Sequence, residues 1–453
     1  MTVVLYLVGV LLVAAGIALS IALHEIGHLI PAKRFGVRVP QYMVGFGPTV
    51  WSVRRGETEY GVKAIPLGGY VRMIGMFPPR AGDAAGTVRA STTGRFSQLV
   101  EEARDSSLEE LAPGDENRVF YRLSTGRKIV TMLGGPVMNL LIAVLVLTFV
   151  VTVRGTPQIA PGAVVASVAQ CVVPATEAAQ TTSCLGRPQT PASAAGMLPM
   201  DRILTVDGTS VQSTADVGRL IRPRVGQQTP VVVERDGVRH TLMITPIENV
   251  LPVYDASGQP VHNPDGTEQT QSAGFLGITS APVVQNVPQS VTAVPGVVAD
   301  QLWLTGGAIL RIPAKMVGVY QAAFTDKPRE LDSPMSVVGV GRVAGEVTAG
   351  RLDLLVGQGA GDKLWFLASL LASLNIMLFV FNLVPLLPLD GGHVAGAVWE
   401  FVKRRWARLR HRPDPGYVDV AKAMPLAYGV SMVLLVMTAL LVYADVVNPI
   451  KLG

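Results

Sequence analysis

The sequence predicts a polytopic α-helical membrane protein of about four transmembrane helices. It also predicts a membrane-associated β-hairpin region and a β-rich extracytoplasmic domain between the second and third spans. Three observations carry this reading. Apolar residues make up 49% of the 453-residue chain and charged residues 16%, against roughly 25% charged in a soluble domain, and mean hydropathy is positive. Four segments offer the roughly 20 apolar residues a bilayer crossing needs: Val3 to about Ala22, residues 129–150, about Leu364 to Leu389, and about Ala423 to Val442. Finally, Lys33, Arg34, Arg38, Arg54, Arg55 and Lys63 follow the first span, and F-V-K-R-R-W-A-R-L-R-H-R (401–412) separates the third from the fourth. Basic loops stay in the cytoplasm, so both termini and the long region before the third span fall outside.

Residues 1–34 form the first span, which ends in I-A-L-H-E-I-G-H-L-I (21–30). It lacks a basic leader and a small-x-small cleavage site, so it is expected to be a retained span rather than a signal peptide. Residues 35–128 form a cytoplasmic and membrane-associated β-loop region, in which 35–75 alternate short β-like runs with glycines, as in G-F-G-P-T-V-W-S-V from Gly45, and read as hairpins. They are apolar for a cytoplasmic loop and are expected to dip into the membrane edge, with their backbone groups satisfied within protein. Within them, the acidic stretch 101–118 reads as a solvated linker or short surface helix. Residues 129–153 form the second span.

Residues 154–248 form a compact β-rich unit with hairpins at Asp207-Gly208 and Asp236-Gly237 and a short helix at 213–221. Cys171 and Cys184 fall on the oxidising side, either as a disulfide or as two free thiols. Residues 249–360 comprise a linker, rich in Pro, Gly, Asp and Asn over 249–272, and amphipathic surface helices. The segment 298–324 competes as a fifth span, but Asp300, Arg311 and Lys315 make that costly. The third span is 361–392, a basic cytoplasmic segment follows at 393–422, and the fourth span is 423–447.

His24 and His28 are four residues apart, so both imidazoles lie on one helix face. Two neutral imidazoles so spaced can share one zinc ion, and Glu25 between them can act as general base toward water. Three ionisable groups within five residues at membrane depth point to function. A catalytic zinc takes a third protein ligand, and Asp390 is the favoured one: it ends the third span on the same side as His24 and His28. Its alternatives are an ordinary helix-end acid and, as ligand, His393. Pro385 and Pro388 break the helix beforehand, and Gly391 and Gly392 let the chain turn. Asn139 and Asn382 are buried amides that either pair across helices or steady a substrate carbonyl. Gly135 permits close helix approach.

H24-E-I-G-H28, G134-G-P-V-M-N139 and N382-L-V-P-L-L-P-L-D390-G-G together resemble the motifs of the site-2 protease family. These are intramembrane zinc metalloproteases. The layout is similar to that of the RseP-type bacterial regulators of sigma-factor signalling, and the Ala, Val, Gly and Pro bias points to an actinobacterial member. The resemblance implies one catalytic Zn2+ held by His24, His28 and Asp390, with Glu25 as catalytic acid and base and Asn139 and Asn382 handling substrate or transition state. Residues 64–76 resemble the family's membrane-associated β-loop, which offers an edge strand to an unwound substrate helix. Residues 194–209 resemble part of a PDZ domain, and 331–350 the family's segment before the third span, with Ser333 where glycine is usual. Leu387 stands where relatives often have proline or another small apolar residue.

The implied substrates are single-span membrane proteins such as anti-sigma factors, trimmed first by a site-1 protease, or remnant signal peptides. The implied location is the bacterial plasma membrane, with the N-terminus and PDZ-like domain outside and the active site near the cytoplasmic side. The lipid bilayer is a partner, and nucleic acid is not expected as one. The competing functions are a non-proteolytic zinc-binding scaffold, a prenyl-protein-type membrane zinc peptidase whose third ligand is a glutamate on a later helix, and a transporter.

Overall fold

The computed structural model describes residues 2–78, 114–173, 184–253, 261–263, 269–325, 327–357 and 359–450. Most of the acidic stretch 101–118 lies outside the described residues. In chain order the main elements are α1 (Thr2–Arg34), β1 (Gln41–Arg55), β2 (Thr58–Arg72), α2 (Thr125–Phe149), β3 (Thr156–Val168), β4 (Arg202–Val206), β5 (Thr209–Ser210), α3 (Thr214–Ile221), β6 (Thr229–Arg235), β7 (Val238–Ile244), β8 (Ile247–Pro252), β9 (Thr270–Phe275), β10 (Ile278–Val287), α4 (Val294–Phe324), α5 (Val337–Thr348), α6 (Ala360–Asn382), α7 (Asp390–Leu409) and α8 (Met424–Val447). They divide into a helical unit, residues 1–154 and 289–453, and a β-rich unit, 155–288.

Among the described residues, five helices of the helical unit are long and apolar enough to cross a membrane: α1, α2 with its extension to Arg154, α4, α6 and α8. Four of them overlap the segments 1–34, 129–153, 361–392 and 423–447 that the sequence suggests as spans. The additional one, α4, is a continuous helix over the segment expected to lie on the surface. Helices α1 and α2 cross in backbone contact: a Cβ on Gly27 would overlap the Gly134 carbonyl, and one on Gly134 would overlap that of Gly27. Such small-residue crossings allow apolar helices to pack tightly without polar groups. Midway along α6, the Asn375 amide donates to Ser20 Oγ of α1 at 2.9 Å, buried from solvent.

The contacts at the end of the bundle remote from His24 are specific. Thr348 of α5 donates to the Leu5 carbonyl at 2.8 Å. Arg154, beyond α2, pairs with Asp362 of α6 at 3.1 Å. Asp445 in the last turns of α8 is buried and accepts from Ser336 N (2.7 Å), Ser336 Oγ (2.6 Å) and the Arg329 guanidinium. Helix α4 starts with Val294 and Val298 against Leu147 and Val151 of α2 and ends with Val319 and Ala323 against Leu441 and Ala444 of α8. At the opposite end, Lys128 of α2 and Glu400 of α7 form a buried ion pair of 2.8 Å.

The predicted span 361–392 is two pieces. Helix α6 stops at Asn382 and α7 starts at Asp390. Pro385 and Pro388 in the intervening turn lack an N–H and clash with a preceding helical carbonyl. The basic segment after Gly392 is therefore the body of a helix that begins at the proposed ligand.

The hairpin β1–β2 curls on itself. Tyr42 faces both Tyr60 and Val71, and Val44 faces both Val62 and Gly69. The first half of β1 thus has a β2 segment on each side, and residues 69–72 form an edge of the sheet.

The β-rich unit has strand order β10-β3-β4-β6-β7, with β5 beside β4. Asp207-Gly208 and Asp236-Gly237 all have positive φ, the twist that two-residue hairpin turns require. Ser213 and Asp216 form a capping box on α3, which packs Val217, Leu220 and Ile221 over Ile203, Val231 and Val233. A disulfide joins Cys171 to Cys184. Two boundaries are corrected. Strands β8 and β9 pair as a hairpin where a linker was expected over 249–272, and the unit extends to 288 rather than 248. The reason is non-local: β10 completes the sheet by pairing with β3, more than a hundred residues earlier, and no local pattern announces such a partner.

Asp201, fully buried, anchors this unit. Burial alone would raise its carboxyl pKa. Two bonds from Arg235, at 2.7 Å each, and one from the Leu198 N–H at 2.9 Å outweigh burial and hold it below the usual carboxylate range. The folded value lies under the unfolded one, so the stabilisation is complete above about pH 4 and is lost as pH falls through the folded value. Asp201→Asn should cost about 1.5–3 kcal/mol and flatten this acid dependence. Hydrogen exchange of peptides spanning 197–206 in the full-length protein, corrected for intrinsic rates, measures both.

Candidate metal centre

Helix α1 carries His24 and His28 one turn apart, with their Nε2 atoms 3.2 Å from each other. The turn after α6 delivers Asp390 as the first residue of α7, and its Oδ2 lies 3.4 Å from each Nε2. Among the described residues, these three bring ligand-capable atoms within 4.8 Å of one another. A tetrahedral zinc with bonds of about 2.0–2.1 Å separates its donors by about 3.3–3.4 Å, which matches this triangle. The donor set, two imidazole nitrogens and one carboxylate oxygen, is one that zinc accepts with a position left open for catalysis. The side chains of His24 and Asp390 retain 14% and 20% exposure, so the centre is not sealed.

The surroundings fit the ion as well. Gly135 of α2 faces the imidazoles, and a Cβ there would overlap His28 Nε2 and crowd His24 Nε2. The glycine therefore leaves the space in which the donors converge. His28 Nδ1 donates to the Thr131 carbonyl at 2.8 Å. A carbonyl only accepts, so this bond fixes the tautomer and leaves Nε2 bare for metal. The Asn139 Nδ2 lies 3.0 Å from His24 Nδ1, and its Oδ1 is buried without a hydrogen-bond partner. Turned by 180°, the amide oxygen would accept Nδ1–H and free His24 Nε2 in the same way. Amide orientation is set by the hydrogen-bond network, and three converging donor atoms require the turned arrangement.

Glu25 is partly buried on the side of α1 that faces the sheet, where a Cβ on Gly69 would sit 3.0 Å from its Cγ. The edge segment of β2 and the proposed base are therefore neighbours. Tyr42 ties the sheet to α1 by donating to the Ala22 carbonyl at 2.8 Å. Burial, reinforced by the Glu25 charge, pushes this hydroxyl up to about 12, so it remains a donor at any physiological pH.

Not every predicted residue joins the site. Asn382 is the last residue of α6, partly exposed, and makes no side-chain hydrogen bond among the described residues. His393, the rival ligand, is outside the donor triangle and instead lines a cavity of about 290 Å³ with Phe77, Tyr428 and Ser431. No sequence motif marks the Thr131 carbonyl, because every residue has a carbonyl; the nearby Gly134-Gly135-Pro136 is the local sign of a close backbone approach.

A multi-helix membrane protein with H-E-x-x-H on one helix and an aspartate completing the triangle is a membrane zinc metalloprotease. The chain belongs to peptidase family M50, whose family model matches residues 12–413. It is 33% identical over 453 residues to zinc metalloprotease Rip1 of Mycobacterium tuberculosis, covering 99% of both chains. It is 32% identical over 456 residues to zinc metalloprotease Rip1 of Mycolicibacterium smegmatis, covering 98% of each. Metalloprotease MmpA of Caulobacter vibrioides is 26% identical over 403 residues, with 86% of this chain and 85% of that protein aligned.

Two substitutions test the centre without touching a ligand. Gly135→Ala should reduce zinc content of the purified protein to background in elemental analysis. Asn139→Leu should weaken zinc affinity about 10–100-fold in a chelator competition.

Proposed function

We propose that the chain is an intramembrane endopeptidase that cuts the transmembrane segment of single-span substrates close to the cytoplasmic face. The observation that carries this reading is the meeting, at the end of an apolar helix, of a three-donor metal site, a carboxylate and an edge segment of a β-sheet. A peptide bond in a helix has its carbonyl engaged, and only an extended chain offers it for attack. Residues 69–72 supply an edge that such a chain can join as a strand, beside Glu25. A prenyl-protein-type peptidase takes its third ligand from a glutamate on a later helix, whereas here Asp390 completes the donor triangle.

His24, His28 and Asp390 would hold a zinc ion, which would supply Lewis-acid activation of water and of the scissile carbonyl. The Glu25 carboxylate takes the proton of the attacking water and returns it to the leaving nitrogen. Thr131 and Asn139 keep both imidazoles in the ligating tautomer throughout, and Asn382 assists in holding substrate where the chain leaves α6.

Four spans with both termini outside remain the preferred topology. The start of α4 packs with Leu147 and Val151 of α2 and with Ala372 and Ile376 of α6, and its end packs with the last turns of α8; we read it as a helix lying along that surface. The β-rich unit reads as a PDZ-like extracytoplasmic domain. Its edge strand β10, helix α3 and the 274–277 turn border a cavity of about 830 Å³, a groove open to strand addition by an extended peptide. Anti-sigma factors or remnant signal peptides, already shortened by a site-1 protease in the plasma membrane, fit this architecture as substrates.

Glu25→Gln should retain wild-type zinc content while cleavage of a reconstituted single-span substrate falls by about 10²–10⁴-fold. Cleavage at the wild-type rate would rule out the mechanism.

A further inference from the structure

The outer face of α7 has no partner among the described residues, yet it is far from featureless. Its inner face is fixed: Ala397, Glu400 and Ala407 are buried, and Glu400 is paired with Lys128 at 2.8 Å. At 100° per residue, the opposite face carries Val398, Val402, Trp406 and Leu409, which are 45%, 45%, 56% and 66% exposed. Cations flank this apolar stripe on both sides. Arg405 and Arg408 lie on one side, and Lys403 and Arg410 on the other, with the Arg410 guanidinium 4.5 Å over the Trp406 ring. The acids of the region are spent elsewhere: Glu400 and Asp414 both face Arg404 on the inner side, at 3.3 and 3.5 Å. Among the described residues, no acid pairs with Lys403, Arg405, Arg408 or Arg410.

We propose that this face of α7 is a docking surface for anionic phospholipid. An apolar stripe between two rows of cations is the pattern of a helix lying in the plane of a membrane interface, with the stripe in the acyl boundary and the cations at the headgroups. A protein or nucleic-acid partner fits less well. A nucleic acid would leave Val402 and Leu409 in water, and the charge complement of the flanks is a field of negative headgroups on both sides of one hydrophobic strip. The helix is also placed for it, since α7 starts at the metal ligand, at an end of the apolar bundle. Because Asp390 is its first residue, the headgroups and the metal site grip the two ends of one helix. The inference goes beyond the proposed proteolysis and does not depend on Glu25.

The test uses the full-length protein in detergent with a Val402→Cys substitution. Cys171 and Cys184 are consumed by their disulfide, so an environment-sensitive fluorophore labels position 402 alone. Short-chain phosphatidylglycerol or phosphatidylcholine is titrated in, and acrylamide quenching reports how far the probe is shielded. Phosphatidylglycerol should shield it at lower concentration, by about fivefold for each arginine engaged. The triple variant Arg405→Gln, Arg408→Gln, Arg410→Gln should lose that preference while its zinc content, which reports Asp390 in place, stays at the wild-type level. Equal affinity for the two lipids, or a preference that survives in the triple variant, would overturn the proposal. So would shielding that exists before lipid is added and grows with protein concentration, which would assign the face to a second copy of the chain.

Discussion

The close crossing of α1 and α2 is the constraint on which the rest of the site depends. Gly27 and Gly134 leave no room for a side chain between the two backbones, and that approach brings the Thr131 carbonyl to His28, the Asn139 amide to His24 and the bare face of Gly135 to the point where the donors meet. A wider crossing would separate each of these contacts at once. In lipid there is no hydrophobic gain from pressing two apolar helices together, so the packing has to come from shape, and the glycines provide it. One packing decision on α2 thereby sets the tautomer of both imidazoles and the volume available to the ion.

The third ligand is brought in by a different device. A helix that continued past Asn382 would carry Asp390 further along its own axis. The two prolines end it, and α7 starts in a new direction with the aspartate at its head. The Lys128–Glu400 pair then fastens α7 to α2 about three turns later. Breaking a buried pair by removing one partner leaves an uncompensated charge and typically costs about 3–5 kcal/mol. The metal site is thus a junction of three chain segments, two of them referenced to α2.

Much of this was legible in the sequence where chemistry is dense and local. The i, i+4 spacing of His24 and His28 and the acid at the end of an apolar run in Asp390 required no fold to be recognised. The four most apolar helices, the paired strands after Gly36 and the tight turns at Asp207 and Asp236 were equally local. What escaped is what depends on distant partners. The pairing of β10 with β3 moved a domain boundary by 40 residues. The length of α4 as one helix is set by packing against α2 and α8 at its two ends rather than by its own weak apolar pattern. The restart of the chain at Asp390 was half visible: the prolines announced a break, but nothing announced that the basic segment beyond would be helical from its first residue. Asn382 shows the converse, a polar residue at membrane depth whose side chain stays apart from the hydrogen bonds of the centre.

The cluster at the far end of the bundle bears on how this protein can be recombined. Asp445 is satisfied by Ser336 and Arg329, and Gly339 is kept free of a side chain by the same carboxylate. Residues 329–339 and the end of α8 are therefore one heritable block split across more than a hundred positions. A chimera that takes its last helix from a relative lacking an acid at the position of Asp445, and keeps residues 329–339 from this chain, leaves Arg329 buried without its partner. Crossover points for functional hybrids belong before Arg329 or after the end of α8, with the stretch between them transferred intact.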